Sequence, residues 1–119
     1  MNKLRILIAV LVSLCVVAGF SATSFAHGPR VITLDFDSAL HLLTVDVDHS
    51  VTDSAKHFVN KIEVFLNDSL VITQDMMQQL SRTTQKVSYI IVDAASGDVV
   101  RVKATCNMFG SKEASIAIP

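Results

Sequence analysis

From Val31 onward, apolar residues alternate with polar ones or gather into short runs rich in Val and Ile, and turn-prone pieces interrupt them every eight to twelve residues. A period of two gives each segment one apolar face, and such segments hide those faces by packing sheet against sheet. The rhythm is that of an all-β sandwich. Strands are expected at Val31–Asp37, Leu40–Val47, Phe58–Leu66, Leu70–Gln74, Gln85–Val92, Asp98–Cys106 and Glu113–Ile118, seven in all. Asn67-Asp68-Ser69 supplies a tight hairpin turn, and Ala95-Ser96-Gly97-Asp98 a second in which Gly97 provides a positive φ. Between the fourth and fifth strands, Met76, Met77 and Leu80 fall at helical spacing within Asp75 to Arg82. That stretch reads as a single helical turn crossing between the sheets, its methionines filling core rather than binding metal.

The first 26 residues do not share this rhythm. Lys3 and Arg5 precede the apolar run Ile6 to Phe20, which gives way to the small-residue stretch Ser21 to Ala26. This is the pattern of a secretory signal peptide cut after Ala26. The run of 15 residues is short of the roughly 20 that a membrane-spanning helix needs. Cys15 follows Leu14 inside the apolar run, a context that does not suit lipid attachment. The expected product is therefore residues 27–119, a single domain, periplasmic or secreted, with no membrane anchor after cleavage. The leader carries two of the ten basic residues and none of the eleven acidic ones, which leaves a net charge of −3. Such a surface has no basic field to collect nucleic-acid phosphates. Cys15 departs with the leader, so Cys106 remains alone and no internal disulfide can form.

The candidate chemistry lies in His27, His41, His49, His57 and Cys106. In the second strand Leu43, Val45 and Val47 share one face, and continuing the alternation turns His49 towards the core. His49 and His57 bracket the polar loop Ser50 to Lys56, which can bring both to one rim. Converging imidazoles suit iron, copper or zinc, and a thiolate at the same rim favours a borderline or soft metal over calcium or magnesium. On spacing alone, the plainer alternative is a pair of histidines that cap strands and bind water. Asp46, Asp48 and Asp53 lack the glycine and terminal glutamate of a calcium loop and read as solvated residues.

Three stretches belong together: His49, then His57-Phe58-Val59-Asn60-Lys61-Ile62-Glu63-Val64, then Cys106-Asn107-Met108-Phe109-Gly110. Together they resemble the iron domain of superoxide reductases, the neelaredoxin and desulfoferrodoxin family. That family carries a His-Pro motif, a His-Tyr-Ile leading into a strand with Ile-Glu, and a late Cys-Asn-x-His-Gly. The resemblance runs from about His27 to Ala117 and implies an immunoglobulin-like seven-stranded antiparallel sandwich. It also implies a mononuclear iron site, with four histidines in a square, a cysteine thiolate below and a sixth position open to superoxide. His49 matches the His-Pro histidine with Ser50 in place of proline, and His57 matches the next histidine after a loop longer by about two residues. Cys106 matches the axial cysteine. His27-Gly28-Pro29 looks similar to the family's Lys-His-x-Pro stretch, which makes His27 the fourth candidate ligand. Phe109 stands where the family has its last histidine, and the family's lysine and glutamate beside the open position have no counterparts. The implied metal set is His49, His57, Cys106 and His27, with His41 unplaced.

The functional expectation is an exported mononuclear iron-binding protein resembling superoxide reductase, with one-electron superoxide reduction weakened or lost. An active reductase would need an external electron donor. Copper is the minor cofactor alternative, because cleavage before His27 frees an α-amine beside its imidazole and the two nitrogens can chelate one ion. A second expectation is a non-enzymatic binding subunit similar to the sandwich partner subunit of the thiosulfate-oxidation carrier complex. That subunit has a His-Pro-Met and a later His-Phe-Ile but no metal cysteine, so Cys106-Asn107 favours the first. A third is an interaction sandwich with incidental histidines, acting through a protein partner or as a homo-oligomer. Intact-mass measurement of exported material is expected to give a chain beginning at His27, and a mass retaining Met1 to Ala26 would remove both the unanchored product and the copper chelate.

Overall fold

The computed structural model describes residues 27–119, so the expected leader, Met1 to Ala26, lies outside the described residues. Seven strands follow one another: β1 (Val31–Asp37), β2 (Leu42–Asp48), β3 (Val59–Leu66), β4 (Ser69–Asp75), β5 (Thr84–Ile90), β6 (Val99–Cys106) and β7 (Ser111–Ala117). All pairings are antiparallel. They form a three-stranded sheet in the order β1-β2-β5 and a four-stranded sheet in the order β4-β3-β6-β7. The protein is all-β, with no helix among the described residues.

The strands lie within two residues of where alternation puts them, and the offsets have local causes. β2 starts late because Asp37 Oδ1 accepts the N–H groups of Ala39 (2.9 Å) and Leu40 (3.1 Å), which bends the chain. His41 then sits at φ 53° before the strand begins. The β3–β4 hairpin closes through Asn67 (φ 46°) and Asp68 (φ 68°), with Leu66 facing Ser69. Two consecutive left-handed residues match the twist of the flanking strands, and Asn and Asp tolerate that conformation best among residues with a side chain.

Two expectations need correction. Gly97 does take a positive φ, 88°, but Ala95 to Asp98 is not a hairpin turn. It lies in the connection from β5 in one sheet to β6 in the other, where β6 is flanked by β3 and β7. The helical turn in Asp75 to Arg82 is also absent. Its backbone donors are taken by other elements: Met76 N–H by Asn60 O (2.8 Å), Gln79 N–H by Ser54 O (2.9 Å) and Leu80 N–H by Gln85 Oε1 (3.1 Å). No i to i−4 ladder forms, so helical spacing does not decide which side chains face inward. Met76 packs against the core, while Met77 is 89% exposed, Leu80 66% exposed and Gln79 only 2% exposed. The segment does cross between the sheets, with a polar side chain turned in and apolar ones turned out.

The core lies between the sheets and is built mainly from three central strands. β2 supplies Leu43, Val45 and Val47, β3 supplies Val59, Ile62 and Val64, and β6 supplies Val100, Val102 and Ala104. Each fully buried Val, Ile or Leu contributes roughly 1.5–3 kcal/mol relative to exposure. In β3 the inward residues Val59 and Ile62 are three apart, and the register shift between Val59 and Lys61 is what lets both face the core. On one side of the sandwich, Tyr89 of β5 donates its hydroxyl to Gln74 Oε1 of β4 at 2.6 Å. Burial pushes the Tyr89 phenol up to about 12, so it remains a donor throughout the range where the fold is used.

Ahead of β1, the backbone at Gly28 crosses the β6–β7 turn at Gly110, and a Cβ on Gly110 (φ 80°) would lie 3.2 Å from Gly28 Cα. A Cβ on Gly97 would meet nothing within 4 Å. Gly97→Ala is therefore expected to cost only left-handed backbone strain, about 1–2 kcal/mol. Gly110→Ala should cost measurably more in a urea-unfolding comparison, because backbone must also move away from backbone.

Candidate metal centre

The period of two that buries the core also builds the site. His49 is the next core-facing position after Val47 of β2, Cys106 the next after Ala104 of β6, and His57 precedes Val59 of β3 by the same step. All three reach the same end of the sandwich, where the last aliphatic layer stops. The ligand atoms of His49, His57 and Cys106 lie within 4.8 Å of one another, so a metal ion could be held there. His57 Nε2 is 3.1 Å from Cys106 Sγ. Two donors on one ion, with metal–nitrogen bonds near 2.0–2.1 Å and metal–sulfur near 2.3 Å, stand about 3.1–3.6 Å apart. That pair already has the spacing of neighbouring ligands.

His57 is held by its neighbours on both sides. Asp53 O accepts the N–H groups of Lys56 (3.1 Å) and His57 (2.9 Å), curling the loop back towards β3. Asn107, the residue after Cys106, accepts Phe58 N–H on Oδ1 (2.9 Å) and donates from Nδ2 to Lys56 O (2.9 Å). Its own N–H reaches Phe58 O at 3.0 Å. One side chain thus clamps the residues flanking His57 to the end of β6, and this fixes imidazole against thiol. The sulfur also accepts the Met108 N–H at 3.4 Å.

His49 is fully buried. Its Nδ1 lies 2.9 Å from Gln79 Oε1, and its Nε2 lies 3.3 Å from the carbonyl oxygen of His27. Gln79 has no counterpart in the motif reading, and its sequence context, a polar residue beside Met76, Met77 and Leu80, points the wrong way. The one usable signal was the failure of that stretch to make a helix, which only the tertiary hydrogen bonds reveal.

The fourth candidate, His27, also stands at the site. Its ring centroid is 6.0 Å from that of His49 and 6.3 Å from that of His57, while His49 and His57 are 4.8 Å apart. His27, Ser50, Val51, Thr52 and His57 line an open cleft of about 390 Å³ beside the donors. His41 is not brought to the site. It precedes β2, so the whole strand, about 20 Å long, lies between it and His49. Phe109, where the motif resemblance leads one to expect an imidazole, is 61% exposed.

No family model, curated protein or solved structure matches the chain. The chemistry of the centre therefore stands on its own donors. Two imidazoles and a thiol suit a borderline transition metal and not a hard cation that prefers oxygen.

Desolvation, followed by the neighbouring charges of His49 and His27, lowers the His57 pKa below its usual 6.5. The imidazole is thus neutral, as a ligand must be, over a wider pH range. Because the folded value lies below the unfolded one, its contribution to stability is complete above pH 6.5 and is lost as pH falls through the lowered value. The metal-free protein is expected to lose stability on acidification below 6.5, before the carboxylates near 4 titrate. His57→Gln should flatten that part of a denaturant-midpoint profile.

Proposed function

We propose that this is an exported mononuclear metal-binding protein with an immunoglobulin-like sandwich, resembling the superoxide reductases and taking iron as its metal. The convergence of His49, His57 and Cys106 from three separate strand ends carries the reading. The strand orders β1-β2-β5 and β4-β3-β6-β7 agree with the immunoglobulin-like architecture that the resemblance implies. Export rests on the leader pattern of residues 1–26. Among the described residues no helix is long and apolar enough to cross a membrane.

A transition-metal ion fits the residues present. With Gln79 Oε1 taking the His49 Nδ1 proton, His49 Nε2 and the His27 carbonyl oxygen face each other at 3.3 Å as two acceptors. A metal cation relieves that opposition. His49 and His57 would hold the ion as neutral imidazoles, Cys106 as thiolate, and His27 is the nearest further imidazole. When bound, iron supplies a one-electron redox couple. The protein's own residues orient the donors through Gln79 and Asn107, dry the inner side with Val47, Val59 and Ala104, and leave the cleft side open.

Phe109 leaves the family's ligand square one imidazole short, and its exposed ring offers no donor. For this reason metal binding without efficient superoxide reduction is the preferred reading, and any reductase activity would draw on an external electron donor. The binding-subunit alternative gives no role to a buried thiol 3.1 Å from an imidazole. Copper as a minor alternative depends on a free amine at His27.

Metal analysis of the protein purified from its native compartment is expected to find about one equivalent of iron, and metal-free material would favour the binding-subunit reading. Ferrous-iron titration extends the test. Phe109→His is expected to bind more tightly than wild type, because the resemblance puts a ligand imidazole at that position. Equal and negligible binding by both proteins would remove the iron site.

A further inference from the structure

Gln79 is the most buried polar side chain outside the donor set, and its four contacts define its orientation. Nε2 donates to His49 O at 2.7 Å and to Ser81 O at 2.9 Å. Both partners are carbonyl oxygens, so the amide nitrogen must face them. A flipped amide would set oxygen against two oxygens. Oε1 consequently faces Val59 N–H at 3.2 Å and His49 Nδ1 at 2.9 Å. It can only accept there, and the His49 proton must therefore be on Nδ1.

Building on the metal reading above, we infer that Gln79 is a positioning residue that holds His49 in the Nδ1–H tautomer and so presents an unprotonated Nε2 to the metal. Free histidine favours the proton on Nε2, so the tautomer seen here needs an acceptor at Nδ1. Metal-binding histidines commonly donate their second N–H to such a partner, and loss of the partner costs 10–100-fold in affinity. The same amide ties the end of β2 to the start of β3 and to the 76–83 crossover. Rotation of the ring about its Cβ would break its hydrogen bond to this anchored amide. A neutral amide adds no charge to the centre, unlike a carboxylate in the same place. With one thiolate and two neutral imidazoles, a divalent ion would retain a net charge of +1.

The test uses the full exported protein. Long-range ¹⁵N–¹H correlation spectra of the metal-free wild type at neutral pH are expected to show His49 with its proton on Nδ1. Gln79→Met keeps the length of the side chain and removes the acceptor. It is expected to move His49 to the Nε2–H form and to weaken Zn²⁺ binding 10–100-fold in competition with a chromophoric chelator. Gln79→Glu keeps an acceptor facing Nδ1 and should retain the Nδ1–H form, while its second oxygen, set against the carbonyl oxygens of His49 and Ser81, should lower the denaturation midpoint. An Nε2–H tautomer in the wild type would overturn the inference even if neither variant folds, as would an unchanged tautomer in Gln79→Met. A wild type with the expected tautomer but no Zn²⁺ binding would leave Gln79 in control of the ring and overturn the metal reading instead.

Discussion

The alternation of inward and outward side chains along three central strands is the constraint from which fold and site both follow. On β2, β3 and β6 the inward positions are aliphatic until the strands reach one end of the sandwich. There the next inward positions are His49, His57 and Cys106. No separate scaffold presents these groups, because the centre is the terminal layer of the core written in imidazole and sulfur. A one-residue slip in the register of β2 against β1 and β5 would turn Leu43, Val45 and Val47 outward and carry His49 with them. Stability of the sandwich and geometry of the site therefore cannot be separated at these strands.

Beyond the last aliphatic layer, hydrogen bonds take over the work of positioning. Two amide side chains do most of it from opposite sides. Asn107 fastens the chain on either side of His57 to the end of β6, and Gln79 joins β2, β3 and the crossover at His49. Gln79, the buried one of the two, has all its polar positions partnered, which is the condition under which a buried amide stabilises rather than destabilises its surroundings. The Asn of the Cys-Asn pair thus acquires a physical meaning: it locates the imidazole that neighbours the thiol.

Much of the fold was legible in the sequence because period-two burial and turn chemistry are local signals. The seven strands, the Asn67-Asp68 turn and the inward aim of His49 all follow from them. The segment between β4 and β5 was not legible. Its Met76, Met77 and Leu80 copy a helical face, yet hydrogen bonds to Asn60, Ser54 and Gln85 decide its path, and the first two of these are remote in sequence. The Ala95 to Asp98 turn failed for a related reason. A glycine with positive φ marks a bend but not which sheet the next strand joins. The grouping of His49 and His57 could be read from their loop, whereas Cys106 and His27 joined them only through the motif resemblance, since nothing local brings distant strand ends together.

The thiol closes the donor set from 49 positions beyond His57, and Gly28 at the front of the domain must lie against Gly110 near its end. Neither contact can exist in a partly made chain. A centre assembled from such remote pieces depends on closing long loops, which is unfavourable until other contacts hold them. Until then the donors are scattered and bind any ion weakly. On the proposed metal reading, the ion pool that the completed site meets is that of the compartment in which the chain finishes folding.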